Sequence, residues 1–151
     1  MLNANYIVGL VDGEGSFTVF IRNPNNKVNV KRRVIAEPKF YLKLIEKDKK
    51  ILYELQQFFG CGKVYFQKDN RPNHQHCYRY EVVKREDLEK IIIPFFERHS
   101  LKTKKNLDFI KFRKVLMLMD RKEHLTAQGI KKIKEIASIM NRGCEDKVQP
   151  C

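Results

Sequence analysis

Two carboxylates, Asp12 and Glu14, follow an apolar run in the segment YIVGLVDGEGSF, residues 6–17. Glycines in this segment weaken a helix, and acids at a helix C-terminus face the unfavourable end of its dipole. Hard cations such as Mg²⁺ offset such negative charge, because they take carboxylate and carbonyl oxygens as ligands. Two such helix ends with bound metal ions, beside a basic groove, predict hydrolysis of a phosphodiester. The alternative is that DGEG is only a turn between a helix and a strand.

The glycines of this segment predict a close helix contact. Gly9 and Gly13 lie four residues apart and therefore share one helix face. Because that face carries no Cβ atoms, a second helix can approach it closely. The pattern of residues 6–17 occurs once in the chain, so the simplest partner is the same helix of a second subunit, related by a two-fold axis.

The chain is strongly basic, with 31 Lys+Arg against 18 Asp+Glu and a formal net charge of +13 over 151 residues. A single domain with this charge favours a polyanion as partner: DNA, RNA or an anionic membrane surface. The membrane is disfavoured, because no apolar run reaches the ~20 residues that span a bilayer. The N-terminal segment also lacks the features of a signal or transit peptide. Cys61, Cys77, Cys144 and Cys151 form no CxxC pair, so we expect reduced thiols in an intracellular protein that is not secreted.

Hydrophobic periodicity predicts the elements that position the two acids. They are a helix capped by Asn3 or Asn5, a strand from Gly15, a strand over 28–45, a helix from about 47 to 60, strands over 62–67 and 77–83, and helices over about 86–97, 103–118 and 126–141. Pro38 predicts a bulge or an edge position in the second strand, and Pro94 an end or a bend in its helix. This order predicts one α+β domain over residues 1–151, with an antiparallel sheet, helices packed on one face, and an irregular tail at about 143–151.

Side chains of one alternating set along the four strands would share the outward face of the sheet. Arg, Lys, Gln and Tyr can contact phosphates and read base edges, and a two-stranded ribbon fits the major groove of DNA. A face that is merely solvated would also look polar. The predicted DNA-binding residues are Thr18, Phe20 and Arg22 in the first strand, Lys31, Arg32 and Arg33 in the basic loop 23–33, Glu37, Lys39, Tyr41 and Lys43 in the second strand, Lys63, Tyr65 and Gln67 in the third, and Arg79 in the fourth, where Cys77 and Glu81 share its face.

Residues 7–15, IVGLVDGEG, resemble the LAGLIDADG motif of homing endonucleases. The resemblance continues through PKFYLKLIEKDKKILYELQQFFGCGKVY, SLKTKKNLDFIKF and KEHLTAQGIKKIKEIASIMNRG, and it covers about residues 5–143. It implies the αββαββα-like fold of that family, in which a saddle of antiparallel strands lies in the DNA major groove. Because the motif occurs once, it also implies a homodimer on a long, roughly palindromic double-stranded target. Both strands would be cut in an Mg²⁺-dependent reaction that serves intron or intein homing, and Mn²⁺ or Ca²⁺ would replace Mg²⁺ for binding.

The resemblance also implies roles for single residues. Glu14 would be the catalytic acid that binds metal, helped by the backbone carbonyl of Gly13. Lys102 would be the basic catalytic residue, with Lys104 as the alternative and as a DNA contact. The dimer interface would consist of Tyr6, Gly9, Leu10, Asp12 and Gly13, with Asp12 bracing the helices and not binding metal.

One position departs from the family. Leu44 stands where many members carry a glutamine that holds solvent around the metal ions, and leucine cannot do that. Either the alignment shifts by one or two residues, so that Lys43 or Glu46 supplies this function, or the chain works without it.

Three alternatives accompany the endonuclease. Relatives on this fold act as RNA maturases or as regulators without cleavage, but loss of cleavage would tolerate replacement of the acid, and Glu14 is present. Maturase activity could coexist with cleavage and would make RNA a further partner. The chain could also be half of a split or engineered pair. A zinc site of His74, His76, Cys61 and Cys77 is disfavoured, because the spacing HQHC does not fit common zinc modules.

We expect the protein in an organelle (chloroplast or mitochondrion) or in a prokaryotic cytoplasm.

Overall fold

The computed structural model describes residues 1–22 and 34–141. These residues fall into two compact units. The first unit comprises Met1–Ser16 and Lys39–Asn106, and the second comprises Phe17–Pro38 and Leu107–Cys151 as far as these segments are described.

The described residues form six α-helices, four strands and three short helical turns. The elements are α1 (Ala4–Glu14), β1 (Gly15–Arg22), β2 (Ile35–Ile45), a 3₁₀ turn (Glu46–Asp48), α2 (Lys49–Phe59), β3 (Lys63–Gln67), β4 (Cys77–Val82), α3 (Arg85–Asp87), a π turn (Leu88–Ile92), α4 (Ile93–Arg98), α5 (Lys105–Asp120), a 3₁₀ turn (Glu123–Leu125) and α6 (Ala127–Ile139). Among the described residues, no helix is long and apolar enough to cross a membrane.

The four strands form one sheet in the order β1-β2-β4-β3. β4 is antiparallel to both of its neighbours, and Glu81 stands opposite Tyr41 of β2 and Lys63 of β3. The prediction of an α+β fold with a four-stranded antiparallel sheet is therefore confirmed.

The core of the first unit is built from aromatic rings. Phe40 of β2, Tyr80 of β4 and Phe59 of α2 are buried, and each pair of their rings has centroids 6.4 Å apart. The Phe96 ring lies 5.6 Å from that of Phe40 and joins α4 to this cluster. α2 ends at Gly60, whose φ of 70° lies in the left-handed region that glycine tolerates.

The second unit has a separate apolar core. Its cluster consists of Ala36, Val115, Leu118, Met119 and Ile133. The ring of Phe17 lies 5.4 Å from that of Phe109 and 5.3 Å from that of Phe112, and all three are buried.

Each proline prediction has two alternatives, of which the structure contradicts one: the edge position of Pro38 and the helix end at Pro94. β2 is an interior strand, so the edge position predicted for Pro38 is wrong. The pairing of β2 with β4 covers Phe40–Ile45, and the missing N–H of Pro38 therefore removes no bond of that ladder. Pro94 does not end the helical stretch, because it lies in the first turn of α4, where a proline is tolerated, directly after the π turn.

Candidate active site and nucleic-acid interface

Helix α1 has an enclosed side and an open side. Asn3 caps its N-terminus by accepting a 2.9 Å hydrogen bond from the backbone N–H of Tyr6. The enclosed side buries three residues, Ile7, Val8 and Val11. The open side carries the exposed residues Tyr6, Gly9 and Gly13 with the half-buried Leu10, which recur at the spacing of one helix face.

The two glycines of this open side border empty space. A Cβ atom built on Gly9 or on Gly13 would meet no atom of the described chain within 4 Å. Each glycine costs a helix about 1 kcal/mol relative to alanine. Nothing within the described chain explains that cost, since neither glycine makes room for a neighbour there.

Asp12 faces inward and holds the loop that follows α4. Its carboxylate accepts bonds from the backbone N–H of Lys102 at 2.9 Å and of Thr103 at 3.1 Å, and from the Thr103 hydroxyl at 2.8 Å. Burial alone would raise the pKa of Asp12, but these hydrogen bonds outweigh it and hold the pKa below the ordinary value. Asp12 thus fixes the backbone of Lys102 to the end of the motif helix.

Glu14 faces outward at the last residue of α1. Its side chain makes no hydrogen bond or ion pair with the described part of the chain. Gly15 turns the backbone from helix to strand, and a Cβ there would lie 2.6 Å from Val11 Cγ1. The strand β1 therefore begins in close contact with the last turn of α1, and the side chain of Glu14 is exposed.

The donors at this helix end suit a hard cation only in part. Carboxylate and carbonyl oxygens are the ligands that Mg²⁺ takes, and Glu14 and Gly13 offer both kinds. Within residues 1–22 and 34–141, however, no three His, Cys, Asp or Glu side chains gather to hold a metal ion. Glu14 and Gly13 thus offer two donors for a hard cation, and further ligands would come from outside the described residues.

An open cleft of about 490 Å³ runs along α1 from Asn5 to Asp12. Gly9 and Asp12 line it on one side, and Arg98, His99 and Lys102 line it on the other. The structure therefore brings together three residues that the sequence placed in the site, Gly9, Asp12 and Lys102. Lys104 is exposed in the turn before α5. The sequence missed Thr103, whose partner Asp12 lies 91 positions away.

Seven of the predicted DNA-binding residues lie on one face of the sheet in the first unit. Strand alternation places them there, since the alternate residues Phe40, Leu42 and Tyr80 are buried. The seven are Lys39, Tyr41 and Lys43 of β2, Lys63, Tyr65 and Gln67 of β3, and Arg79 of β4. Glu81 shares this face, because it stands opposite Tyr41 in the register.

The second unit carries four further residues of the predicted set. Arg22 of β1 and Glu37 of β2 form an ion pair and a hydrogen bond. Thr18 is half-buried, and the side chain of Phe20 is exposed. Lys31, Arg32 and Arg33 lie outside the described residues.

Two further sequence predictions concern metal chemistry. Leu44 stands opposite Tyr78 in the register, so it lies on the sheet face away from Lys43. Of the suggested zinc ligands, His76 accepts a 3.2 Å hydrogen bond from the backbone N–H of Asp69, and Cys61 and Cys77 are free thiols. In the described ranges these residues form no metal-binding group.

Comparisons with known proteins give a consistent result. A family model described as LAGLIDADG endonuclease matches residues 7–116. A "Probable intron-encoded endonuclease 3" of Neurospora crassa is 36% identical over 143 residues, which are 93% of this chain and 25% of that protein. "Homing endonuclease I-ApeII" of Aeropyrum pernix is 29% identical over 119 residues, covering 79% of this chain and 65% of that protein. The chain thus spans about a quarter of the length of the first relative.

Solved structures of similar proteins also match. A crystal structure of the homing endonuclease I-TnaI superposes with a TM-score of 0.79 at 43% identity, covering 93% of this chain and 88% of that one. I-SmaMI, bound to its uncleaved DNA target in the presence of calcium ions, superposes with a TM-score of 0.83 at 36% identity. That match covers 94% of this chain and 46% of the I-SmaMI chain.

Proposed function

Because this chain belongs to the LAGLIDADG endonuclease family, we propose that it is one subunit of a homodimeric homing endonuclease. The dimer cuts both strands of a long, roughly palindromic DNA target and depends on Mg²⁺. The observation that supports this most is the open side of α1. Its glycines border empty space, and it ends at a carboxylate, Glu14, that is exposed at the helix end.

The dimer accounts for both features at once. A second α1 that packs on Gly9 and Gly13 occupies the space above them and brings the two Glu14 carboxylates near the two-fold axis. The matched region is 46% of the I-SmaMI chain, which is consistent with a protein built from two domains like this chain. In the present protein, a second copy of the chain supplies the other domain.

Glu14 and the carbonyl of Gly13 would hold the metal ion, together with oxygens of the partner subunit and of DNA. When bound, Mg²⁺ supplies Lewis-acid stabilisation of the charge that develops on the phosphate. Lys102 carries a positive charge beside the same helix end and contributes electrostatic stabilisation of that phosphate. Asp12 contributes by fixing the Lys102 backbone through its hydrogen bonds to residues 102 and 103.

The outward sheet face would bind the DNA grooves. Its lysines and arginines neutralise phosphates, and its Tyr, Gln and Arg side chains reach base edges. A two-fold dimer presents this face twice and therefore selects a target with two related half-sites. Ca²⁺ would support binding without cleavage, as the I-SmaMI complex with uncleaved DNA and calcium suggests for a similar protein.

The relatives suggest where the protein acts. The Neurospora crassa relatives are named as probable intron-encoded endonucleases. By analogy, we place this protein in an organelle or a prokaryotic cytoplasm, where it would cut DNA that lacks the intron.

Cleavage selection tests this proposal. The protein is incubated with a duplex library that carries randomised and intron-insertion sequences, with Mg²⁺, Ca²⁺ or EDTA, and the DNA ends are sequenced. We expect a discrete set of double-strand cuts in roughly palindromic sites with Mg²⁺, and none with Ca²⁺ or EDTA. Tight binding without any cut would contradict the proposal and would favour a maturase or regulator. Cuts in asymmetric sites would contradict the homodimer.

A further inference from the structure

An acid lies in the middle of the basic sheet face. Glu81 of β4 stands between Tyr41 of β2 and Lys63 of β3, and its side chain is only 12% exposed. A carboxylate at this place opposes the binding of phosphates, because it repels the same charges that the lysines attract. Affinity for DNA therefore does not explain it.

Glu81 contacts three of the residues predicted to bind DNA. Its carboxylate lies 3.2 Å from Arg79 Nε and 3.5 Å from Lys39 Nζ. The Tyr65 hydroxyl donates a hydrogen bond to Glu81 Oε2. Burial and this hydrogen bond raise the pKa of Tyr65, so its hydroxyl keeps the proton that it donates. One carboxylate thus connects side chains from three adjacent strands.

Arg79 is held on two sides. Its guanidinium lies over the ring of Tyr41, with Cζ 3.7 Å from the ring centroid, while Glu81 stands beside Nε. In the part of the chain that the structure describes, its terminal amino groups make no hydrogen bond. Its Nε is buried and makes no hydrogen bond there, so the charge of Glu81 and the Tyr41 ring hold the planar guanidinium. The two terminal amino groups form a fork that matches two acceptors on one plane.

We propose that Glu81 is a positioning residue for base recognition: it holds Arg79 and Tyr65 so that the Arg79 fork reads a guanine in the major groove. The proposal rests on the proposed function, because it needs DNA on this face. Guanine is the base that fits, since its O6 and N7 are two acceptors that an arginine fork binds together. Glu81 would then lower affinity for all DNA and raise the preference for one base pair in each half-site.

The alternative is that Glu81 only neutralises its neighbours and stabilises the sheet. The two accounts differ in what a neutral, isosteric side chain changes. Under the alternative, Glu81→Gln alters thermal stability or affinity for every sequence alike. Under the proposal, Glu81→Gln alters the base preference at one position of the DNA, and a substitution of Arg79 alters the preference at the same position.

The experiment measures base preference and general affinity in parallel. Wild type, Glu81→Gln, Arg79→Lys and the control Glu135→Gln are selected in Ca²⁺ on a randomised duplex library, which is then sequenced. Binding to a fixed duplex of unrelated sequence is measured over a series of salt concentrations. Glu135→Gln changes the charge equally but lies at an exposed position of α6, outside the sheet.

We expect Glu81→Gln and Arg79→Lys to lose the guanine preference at the same base pair by about tenfold, the scale of one good bidentate contact. Glu81→Gln binds the unrelated duplex as tightly as wild type or a few-fold more tightly, whereas Glu135→Gln keeps the wild-type base preference. An unchanged base preference for Glu81→Gln, or a uniform loss over all sequences, would overturn the role of Glu81. Wild type that selects no sequence at all would instead overturn the proposed function.

Discussion

The two sides of α1 use the same short motif in opposite ways. On the enclosed side, Val11 is buried and Asp12 accepts three hydrogen bonds from residues 102 and 103. On the open side, Gly9 and Gly13 border empty space and Glu14 is exposed. The first side is explained by the fold of a single chain. The second side costs stability in a single chain, and the proposed dimer would explain that cost.

Replacement of Glu14 gives the largest expected effect. Glu14→Gln removes the negative charge but keeps the size, so cleavage falls by at least about a hundredfold, while thermal stability and DNA binding in Ca²⁺ stay near wild type. Glu14→Asp keeps a carboxylate and serves as the matched control. Cleavage by Glu14→Gln at the wild-type rate in Mg²⁺ would show that the open side does not end in the metal site.

A large side chain on the open side comes next. Gly9→Leu fits the empty space of one chain but blocks a second helix, so self-association weakens by about a hundredfold, or ~2.7 kcal/mol. Sedimentation velocity over a range of concentrations measures this. Lys132→Leu on α6 adds the same side chain at an exposed position and should leave association unchanged. An unaltered dimer of Gly9→Leu would refute the interface.

Two alanine substitutions compare the sides directly. Gly15→Ala places a Cβ 2.6 Å from Val11 Cγ1 and 2.9 Å from the Val11 carbonyl oxygen, so we expect a loss of about 1–3 kcal/mol in the free energy of unfolding. Gly13→Ala meets nothing in the described chain and should leave that free energy unchanged or raise it by up to about 1 kcal/mol. Urea unfolding of dilute protein without DNA measures both. Equal losses in the free energy of unfolding for the two variants would contradict the distinction between the enclosed and the open side of α1.

Asp12→Asn gives the smallest effect and a characteristic pH dependence. The folded chain lowers the pKa of Asp12, so the ionised carboxylate stabilises the protein above the ordinary value of about 3.8. This stabilisation is lost as the pH falls through the lowered pKa of the folded state. We expect the variant to lose about 1–2 kcal/mol at pH 7 and the difference from wild type to shrink below about pH 3.8. A difference that does not change with pH would contradict the role of the charge.

Local patterns predicted much of the fold from the sequence. The sequence predicts a cap at Asn3 or Asn5 and a strand from Gly15, and the structure has the cap at Asn3 and β1 from Gly15, because both features depend on neighbouring residues. Pro38 was placed wrongly because an interior strand can hold a proline beyond the end of its partner. Sequence alone does not show whether the partner strand extends that far.

The site was predicted less completely. The motif predicts metal binding by Glu14 and a close helix contact at Gly9. The hydrogen bonds of Asp12 with Thr103 depend on a contact across 91 positions that no local pattern encodes. The sequence predicts Glu81 on the outward face beside Arg79 but gives it no role. Its contacts with Arg79, Lys39 and Tyr65 come from three paired strands and become visible only in the sheet register.

Cross-linking through Gly9 tests the central claim most directly. Gly9→Cys is made in a chain whose Cys61, Cys77, Cys144 and Cys151 are replaced by serine, with Lys132→Cys as the exposed control. A disulfide needs Cα atoms about 4.4–6.8 Å apart, so it forms only between helices in close contact. The account predicts that mild oxidation converts the Gly9→Cys protein, but not the control, into covalent dimers. No cross-linking beyond the control, in protein that still cuts DNA, would contradict the pairing of α1 with its copy.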